Sequence, residues 1–360
     1  MREGSSGISR YIKKLTDGGR KTLKNWENKS CFARSGQISE IADRFERYSK
    51  ALPSARIVND VNAISKNPSE KMKYKCISRL PLDAAALNKE LGLPQGTITP
   101  GMLEDKNTGF WAAVYRSETD GKLILVARDT NPRSLVDWKT NTDNGAGRET
   151  DQYASMRSLS SLLSKNGVKF DIAGYSKGGG LAQEAGLVSL DSNVYVFNSS
   201  GIPEILKTRR SGVPTSGQFV VRGAENIPSL SRRTSAFAAE GDFLTLMNNS
   251  SGLKELENAR YLRNQLAFDN WGPSPLKIEH RNPANPEAKI DPLNEGQRTE
   301  YLTDLDALIS RKEVDPSLKI FPSVRSNRGV EIIPNSAPDG LKSRNKLSLP
   351  NLIQHLPYFF

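Results

Sequence analysis

Gly174-Tyr175-Ser176-Lys177-Gly178 fits the G-x-S-x-G pattern of a nucleophile elbow. In an elbow a strained turn lifts the serine hydroxyl above a sheet, and the flanking glycines let strand and helix pass closely. The chemistry open to such a serine is acyl transfer. Its hydroxyl attacks a carbonyl once a neighbouring base takes the proton, and donors already in place hold the oxyanion. The base must be His280 or His355, because the chain contains two histidines in all. One oxyanion donor is expected to be the backbone N–H of Lys177, the residue after the nucleophile. The other is expected from a loop after an earlier strand. Arg128-Asp129-Thr130, just past the apolar run Leu123 to Ala127, is in the right place, which points to Thr130.

Five residues alone carry little weight, since an idle serine on a glycine-rich turn has the same pattern. The context adds to it. Phe170 to Ala173 reads as a strand entering the motif and Gly179 to Leu190 as a helix leaving it, the arrangement an elbow needs. A glycine-rich helix start can also bind phosphate, but the stretch contains neither G-x-x-x-x-G-K-[ST] nor G-x-G-x-x-G.

The elements that must position these residues follow from periodicity. Ile38, Ile41, Ala42, Phe45 and Tyr48 share one helical face. Asp83 to Leu91 reads as a helix, and Thr99-Pro100-Gly101 as a helix start. Phe110 to Tyr115 and Lys122 to Ala127 form two strands around the turn Glu118 to Gly121. Thr150 caps a helix that turns Tyr153, Met156, Leu159, Leu162 and Leu163 inward. Val194 to Phe197 is the next strand, followed by possible strands at Gln218 to Arg222 and Ser235 to Ala239. Helices are expected at about Leu253 to Leu266 and around Tyr301 to Ile309, with a short strand at Leu276 to Glu279 between them. Lys319 to Val324 and Val330 to Ile333 read as a hairpin. Strand-helix-strand alternation of this kind builds a mostly parallel sheet flanked by helices, an α/β fold.

Composition narrows the possibilities. At 360 residues, with 36% apolar and 25% charged, the chain can bury a sizeable core. No apolar run approaches the 18 or so residues of a membrane span, and the basic N-terminus lacks the apolar stretch of a Sec signal. The expectation is a chain that stays in the cytosol or is moved by a specialised machine. Cys31 and Cys76 offer no disulfide framework and no metal spacing, and two histidines exclude a histidine-rich metal site. Of the net +11, nearly all falls in residues 1–80, which hold 18 Lys+Arg against 8 Asp+Glu. Those residues are expected to form a basic, partly helical extension for targeting or docking, ahead of a domain at 81–360. Such a region can attract anionic lipid, nucleic acid or a partner. The lack of a recognised nucleic-acid module there, with few aromatics, argues against nucleic acid.

Leu123 to Thr130, then Asp137-Trp138, then the serine elbow resemble the class 3 lipases. In that family an apolar strand ends in Arg-Gly-Thr, Asp-Trp follows, and the nucleophile sits in Gly-His-Ser-x-Gly-Gly. Ser176 to Ala182 and Val196 to Gly201 are similar to bacterial lipase-like effectors injected by secretion systems. The chain departs from the pattern at Asp129, where the family has glycine, and at Tyr175, where it has histidine. The resemblance implies an α/β-hydrolase fold and a Ser-His-Asp triad, with no metal or organic cofactor. Two acids are open: Glu225, in a segment like the Asp-x-Val-Pro of class 3 lipases, and Asp242, in one like the acid-bearing strand end of the effectors. The effector likeness places the base at His355 near the C-terminus, whereas His280 follows a predicted strand, a normal place for a triad histidine. The set expected on these grounds is Ser176, Asp242 and His355, with Thr130 and Lys177 as oxyanion donors.

The reading is then a serine esterase acting on lipid acyl esters, a phospholipase or lipase serving as an effector toxin. Its partners would be membrane lipid and a secretion, chaperone or immunity protein, and it would reach a target cell through a specialised secretion system. Asp129 and Tyr175 motivate the competing reading, a non-catalytic lipid- or protein-binding descendant of the fold.

Overall fold

The computed structural model describes residues 43, 46–58, 61, 77–79, 83–117, 120–131, 134–145, 147–203, 224–240, 242–267, 281–282, 285–289 and 295–333. The central sheet begins with β1 (Ile77–Arg79), β3 (Phe110–Ser117) and β4 (Leu123–Ala127), paired antiparallel. From β4 it continues through β5 (Phe170–Tyr175), β6 (Val194–Phe197), β7 (Thr234–Ala239) and β10 (Val330–Ile333), every pair parallel. A two-residue strand, β2 (Glu104–Asp105), adds to β3. Parallel strands need crossovers, and the helices supply them.

Helix α1 takes in residues 46–58, and α2 is Ala84–Glu90, capped by Asp83. Beyond β4 come α3 (Leu135–Gly145) and α4 (Asp151–Lys165), the latter capped by the Thr150 side chain. The elbow helix α5 is Lys177–Val188, and α6 (Ile227–Arg233) runs straight into β7. Three helices follow β7: α7 (Phe243–Asn249), α8 (Gly252–Ala267) and α9 (Glu295–Val314). A small hairpin of β8 (Arg281–Asn282) and β9 (Asn285–Lys289) stands apart from the main sheet.

Alternation along the strands divides the core. Ala112, Val114, Leu125, Ile172 and Val196 meet Met156, Leu159, Leu181 and Leu230 from α4, α5 and α6. Trp111, Tyr115, Val126, Phe197, Phe237 and Ile333 point the other way and meet Tyr48, Ala51, Ala55 and Val58 of α1. Strands buried on both faces read as unbroken apolar runs, which is how β3 and β4 look in sequence. A third cluster joins Leu244 and Met247 of α7, Leu256 and Ala259 of α8, and Tyr301, Leu305 and Leu308 of α9 to Ile320 and Phe321.

Two expectations change, and others fall wholly or mostly outside the described residues. Of the face from Ile38 to Tyr48, only Tyr48 lies among the described residues, and the helix there continues through Pro53 to residue 58. Proline reads as a stop, but the buried face Ala51, Ala55 and Val58 outweighs it. Thus the described part of residues 1–80 packs on the sheet, as α1 and as edge strand β1. The hairpin at 319–333 does not form. Residues 319–324 are not a strand; Ser323 makes an isolated bridge to Ile202, and β10 pairs parallel with β7. Thr99 to Leu103 is one 3₁₀ turn rather than the start of a longer helix. The strands expected at Gln218 to Arg222 and Leu276 to Glu279 lie outside the described residues.

Candidate active site

Ser176 stands between β5 and α5 at φ 53°, ψ −123°, a left-handed backbone that a non-glycine residue adopts only under constraint. Its N–H donates to Phe197 O of β6 at 3.0 Å, and its own carbonyl accepts from Gly179 N at 2.9 Å and Ser200 N at 3.0 Å. The glycines make the turn possible. A Cβ at Gly174 would fall inside the Gly178 carbonyl, and one at Gly178 would lie 2.6 Å from Ala127 O. Side chains at either position would push α5 off the strands.

The Ser176 hydroxyl makes no hydrogen bond to a described residue, and the residue is 4% exposed. It lines a narrow pocket walled by Asn141 and Asn144 of α3, Ser200 after β6, Leu244 of α7 and Pro322. Gly145 and Lys177 complete the lining, in which Asn and Ser side chains accompany Leu244 and Pro322.

Beneath the pocket lies a buried ion cluster. The Asp137 carboxylate, fully buried, accepts from Lys177 Nζ at 2.8 Å and Gln152 Nε2 at 2.7 Å on one oxygen. Its other oxygen accepts from Asn131 N at 2.7 Å and lies 3.5 Å from Arg128 Nη2. Lys177 Nζ also donates to Gln152 Oε1 at 2.7 Å. Arg128 Nη2 donates to Gly109 O at 2.7 Å, and Arg128 N to Trp111 O at 3.0 Å. Burial pushes the Lys177 ammonium below the usual lysine range; the Asp137 charge and hydrogen bond oppose it, Arg128 adds to it, and Asp129 opposes it too. Asp129, the carboxylate where the lipases have glycine, is therefore electrostatically coupled to Lys177.

Thr130, 3% exposed, accepts from Asn141 Nδ2 at 2.9 Å. Asp242 follows β7 and caps α7, accepting from Thr245 N at 2.9 Å and Thr245 Oγ1 at 2.7 Å. It is buried, and Leu244, two residues on, shares the pocket with Ser176. Strands β5, β6 and β7 are parallel neighbours, so the ends that lead to Ser176 and Asp242 lie on one edge, about 10 Å apart. Glu225 is exposed, and the neighbouring Asn226 Nδ2 donates to Leu187 O at 2.9 Å, near the far end of α5 from Ser176. A helix of that length separates them by about 15–18 Å. The structure gathers Ser176, Lys177, Thr130 and Asp242 on one edge and leaves Glu225 at the other. His280 and His355 lie outside the described residues.

Residues 74–269, more than half of the chain, match the family described as the Tle-like phospholipase domain. The chain belongs to that family. A comparison with curated proteins finds none that matches. The Tle-like domain takes in β1 at one end, the elbow, the Asp137 cluster and all of α8. It gives the mixed α/β architecture a phospholipase-like setting. Among the described residues no helix is long and apolar enough to cross a membrane.

Several site residues were not anticipated. Helix α3, which carries Asn141 and Asn144, is rich in Asn, Thr and Asp and lacks an apolar stripe. Arg128 and Asp137 stand in the lipase-like stretch of the sequence and Lys177 follows the nucleophile, but their grouping into one buried cluster rests on contacts between segments that no local pattern shows.

Proposed function

We propose that the chain is a serine esterase that hydrolyses the acyl esters of membrane lipids. The observation that carries this reading is the constrained backbone at Ser176, with its hydroxyl open to the pocket inside a phospholipase-like domain. Ser176 attacks the acyl carbonyl, His355 takes its proton and returns it to the leaving alcohol, and Asp242 orients the imidazole. The N–H groups of Lys177 and Thr130 hold the oxyanion. Support for Asp242 over Glu225 comes from its place at the edge shared with Ser176. Support for His355 comes from the sequence likeness and from β10, whose last residue Ile333 pairs with Ala239 at that same edge. His355 follows 22 residues after Ile333 in the sequence.

The basic residues before 81 serve delivery or docking on anionic membrane, while α1 and β1 among them pack on the sheet of the hydrolase that residues 81–360 chiefly carry. The role is that of an effector toxin passed to a target cell by a specialised secretion system. Ser176→Ala is expected to abolish fatty-acid release from phospholipid vesicles and labelling by a fluorophosphonate, with the fold unchanged by circular dichroism. Full hydrolysis by that variant would sink the reading. A natural chain that neither hydrolyses nor labels would favour the non-catalytic binding protein.

A further inference from the structure

The buried lysine after the nucleophile has no part in the proton transfers just described, yet it sits at the centre of the site. We propose that Asp137 and Lys177 form a positioning pair that holds the two oxyanion donors at a fixed separation. This rests on the serine-esterase reading.

The two donors come from different pieces of chain. One is the N–H of Lys177, the first residue of α5; the other is the N–H of Thr130, in the loop after β4. The β4–β5 ladder ends at Ala127 and Gly174, three residues short of each donor, so beyond it the distance depends on side-chain contacts. Asp137 does so with both its oxygens. Through one it binds Lys177 Nζ at 2.8 Å, the side chain of the first donor residue. Through the other it binds Asn131 N at 2.7 Å, the residue directly after the second donor. Arg128 N, two residues before Thr130, is fixed to Trp111 O at 3.0 Å, so the loop is held on both sides of Thr130. Gln152 completes the unit, accepting from Lys177 Nζ at 2.7 Å and donating to Asp137 at 2.7 Å and Thr108 O at 2.6 Å.

Both charged groups are almost wholly buried, Lys177 at 2% and Asp137 at 0% exposed. Salt does not screen such a pair as it screens surface charges, and neither group can leave without stranding the other. Lys177 lines the pocket with Ser176, but its ammonium is engaged by Asp137 and Gln152. The effect of the pair passes through the two N–H groups, and donors misplaced by a fraction of an ångström lose hold on an oxyanion that exists only in the transition state. Loss of the pair is therefore expected in kcat with KM little changed.

The test uses the purified full chain and a soluble short-chain ester, with active sites counted by fluorophosphonate labelling. Lys177→Met keeps the length of the side chain and removes its charge; the double variant Lys177→Met/Asp137→Asn leaves no buried charge unpaired. In both, Ser176 should label to completion. The kcat per labelled site should fall on the order of 100-fold, with KM within about threefold. A kcat per labelled site within about threefold of the natural chain would overturn the proposal. So would failure of both variants to fold, because the pair would then hold the domain rather than the donors. A natural chain that does not label at all overturns the esterase reading itself, and is distinguished by that from failure of the pair alone.

Discussion

Two buried carboxylates, Asp137 and Glu255, do similar electrostatic work in different parts of the molecule. Each is fully buried and each holds backbone N–H and lysine together, one of each at Asp137 and two of each at Glu255. Asp137 binds Asn131 N and Lys177, close to it in sequence or across the sheet edge. Glu255, on α8, binds Ile320 N at 2.9 Å, Phe321 N at 3.0 Å, Lys312 Nζ at 3.0 Å and Lys319 Nζ at 3.1 Å. The first anchors the two chain segments expected to face an oxyanion. The second anchors the connection that ends in Pro322, a wall of the pocket. The contrast is between a group whose loss displaces donors by fractions of an ångström and one whose loss releases a whole segment from the third core cluster. A buried ion pair does not declare its purpose through its own energy. What it fastens decides.

Glu255→Ala tests that contrast most severely. It leaves Lys312 and Lys319 without their carboxylate, and is expected to cost about 3–5 kcal/mol of stability, read by denaturant unfolding. The kcat per labelled site of the molecules that remain folded should change little. A kcat loss as large as that expected for Lys177→Met would erase the distinction. Gly180→Ala probes the packing between the clusters. Its Cβ would fall onto Tyr153 Oη and Ser200 Oγ and lie 2.7 Å from Gly201 O, so a loss of about 1–3 kcal/mol is expected in the same assay.

Glu184 offers a pH test in a region with neither role. Burial pushes its carboxyl up to about 7 against the opposing charge and hydrogen bond of Arg157, with Glu149 nearby adding to the rise. Between its ordinary value of 4.5 and about 7 the folded chain keeps a proton that the unfolded chain releases, so stability falls as pH rises through that window. The fall should amount to at most about 3 kcal/mol, and Glu184→Gln should remove it from the pH profile of the melting temperature. Last, Arg263→Ala breaks the pair with Asp306 at 2.9 Å, both side chains well exposed. No measurable change in melting temperature is expected, which would set the surface pair apart from both buried clusters.

The legible parts of this fold are those whose signal is local. The strand Val194–Phe197, the Thr150 cap and the inward face of α4 follow from apolar runs, one side-chain oxygen and a 3.6-residue period. The elbow was legible because its glycines meet a steric demand that no other residue satisfies. What could not be read depends on distant partners. Helix α3 lacks an apolar stripe because its polar face turns inward to Thr130 and the Asp137 cluster. Strand β10 looked like half of a hairpin because its pairing with β7 spans almost a hundred residues of chain, which no window of sequence shows. Glu225 and Asp242 both remain open as acids in the sequence; that Glu225 lies by the far end of the elbow helix becomes visible only in three dimensions.

The seal on the second sheet face has a kinetic consequence. Tyr48 of α1 donates to Glu331 of β10, and Arg47 pairs with the same carboxylate at 3.1 Å, contacts made across 283 residues in the case of Tyr48. Helix α1 is made well before the strand it meets at the sheet's far edge, the two being 283 residues apart at Tyr48 and Glu331. Closing so long a loop is slow, and it cannot begin before β10 exists. Until then the apolar faces of α1 and Phe237 have no complete cover. The chain therefore commits to its folded state late, and a version cut short of residue 330 is expected to aggregate rather than fold.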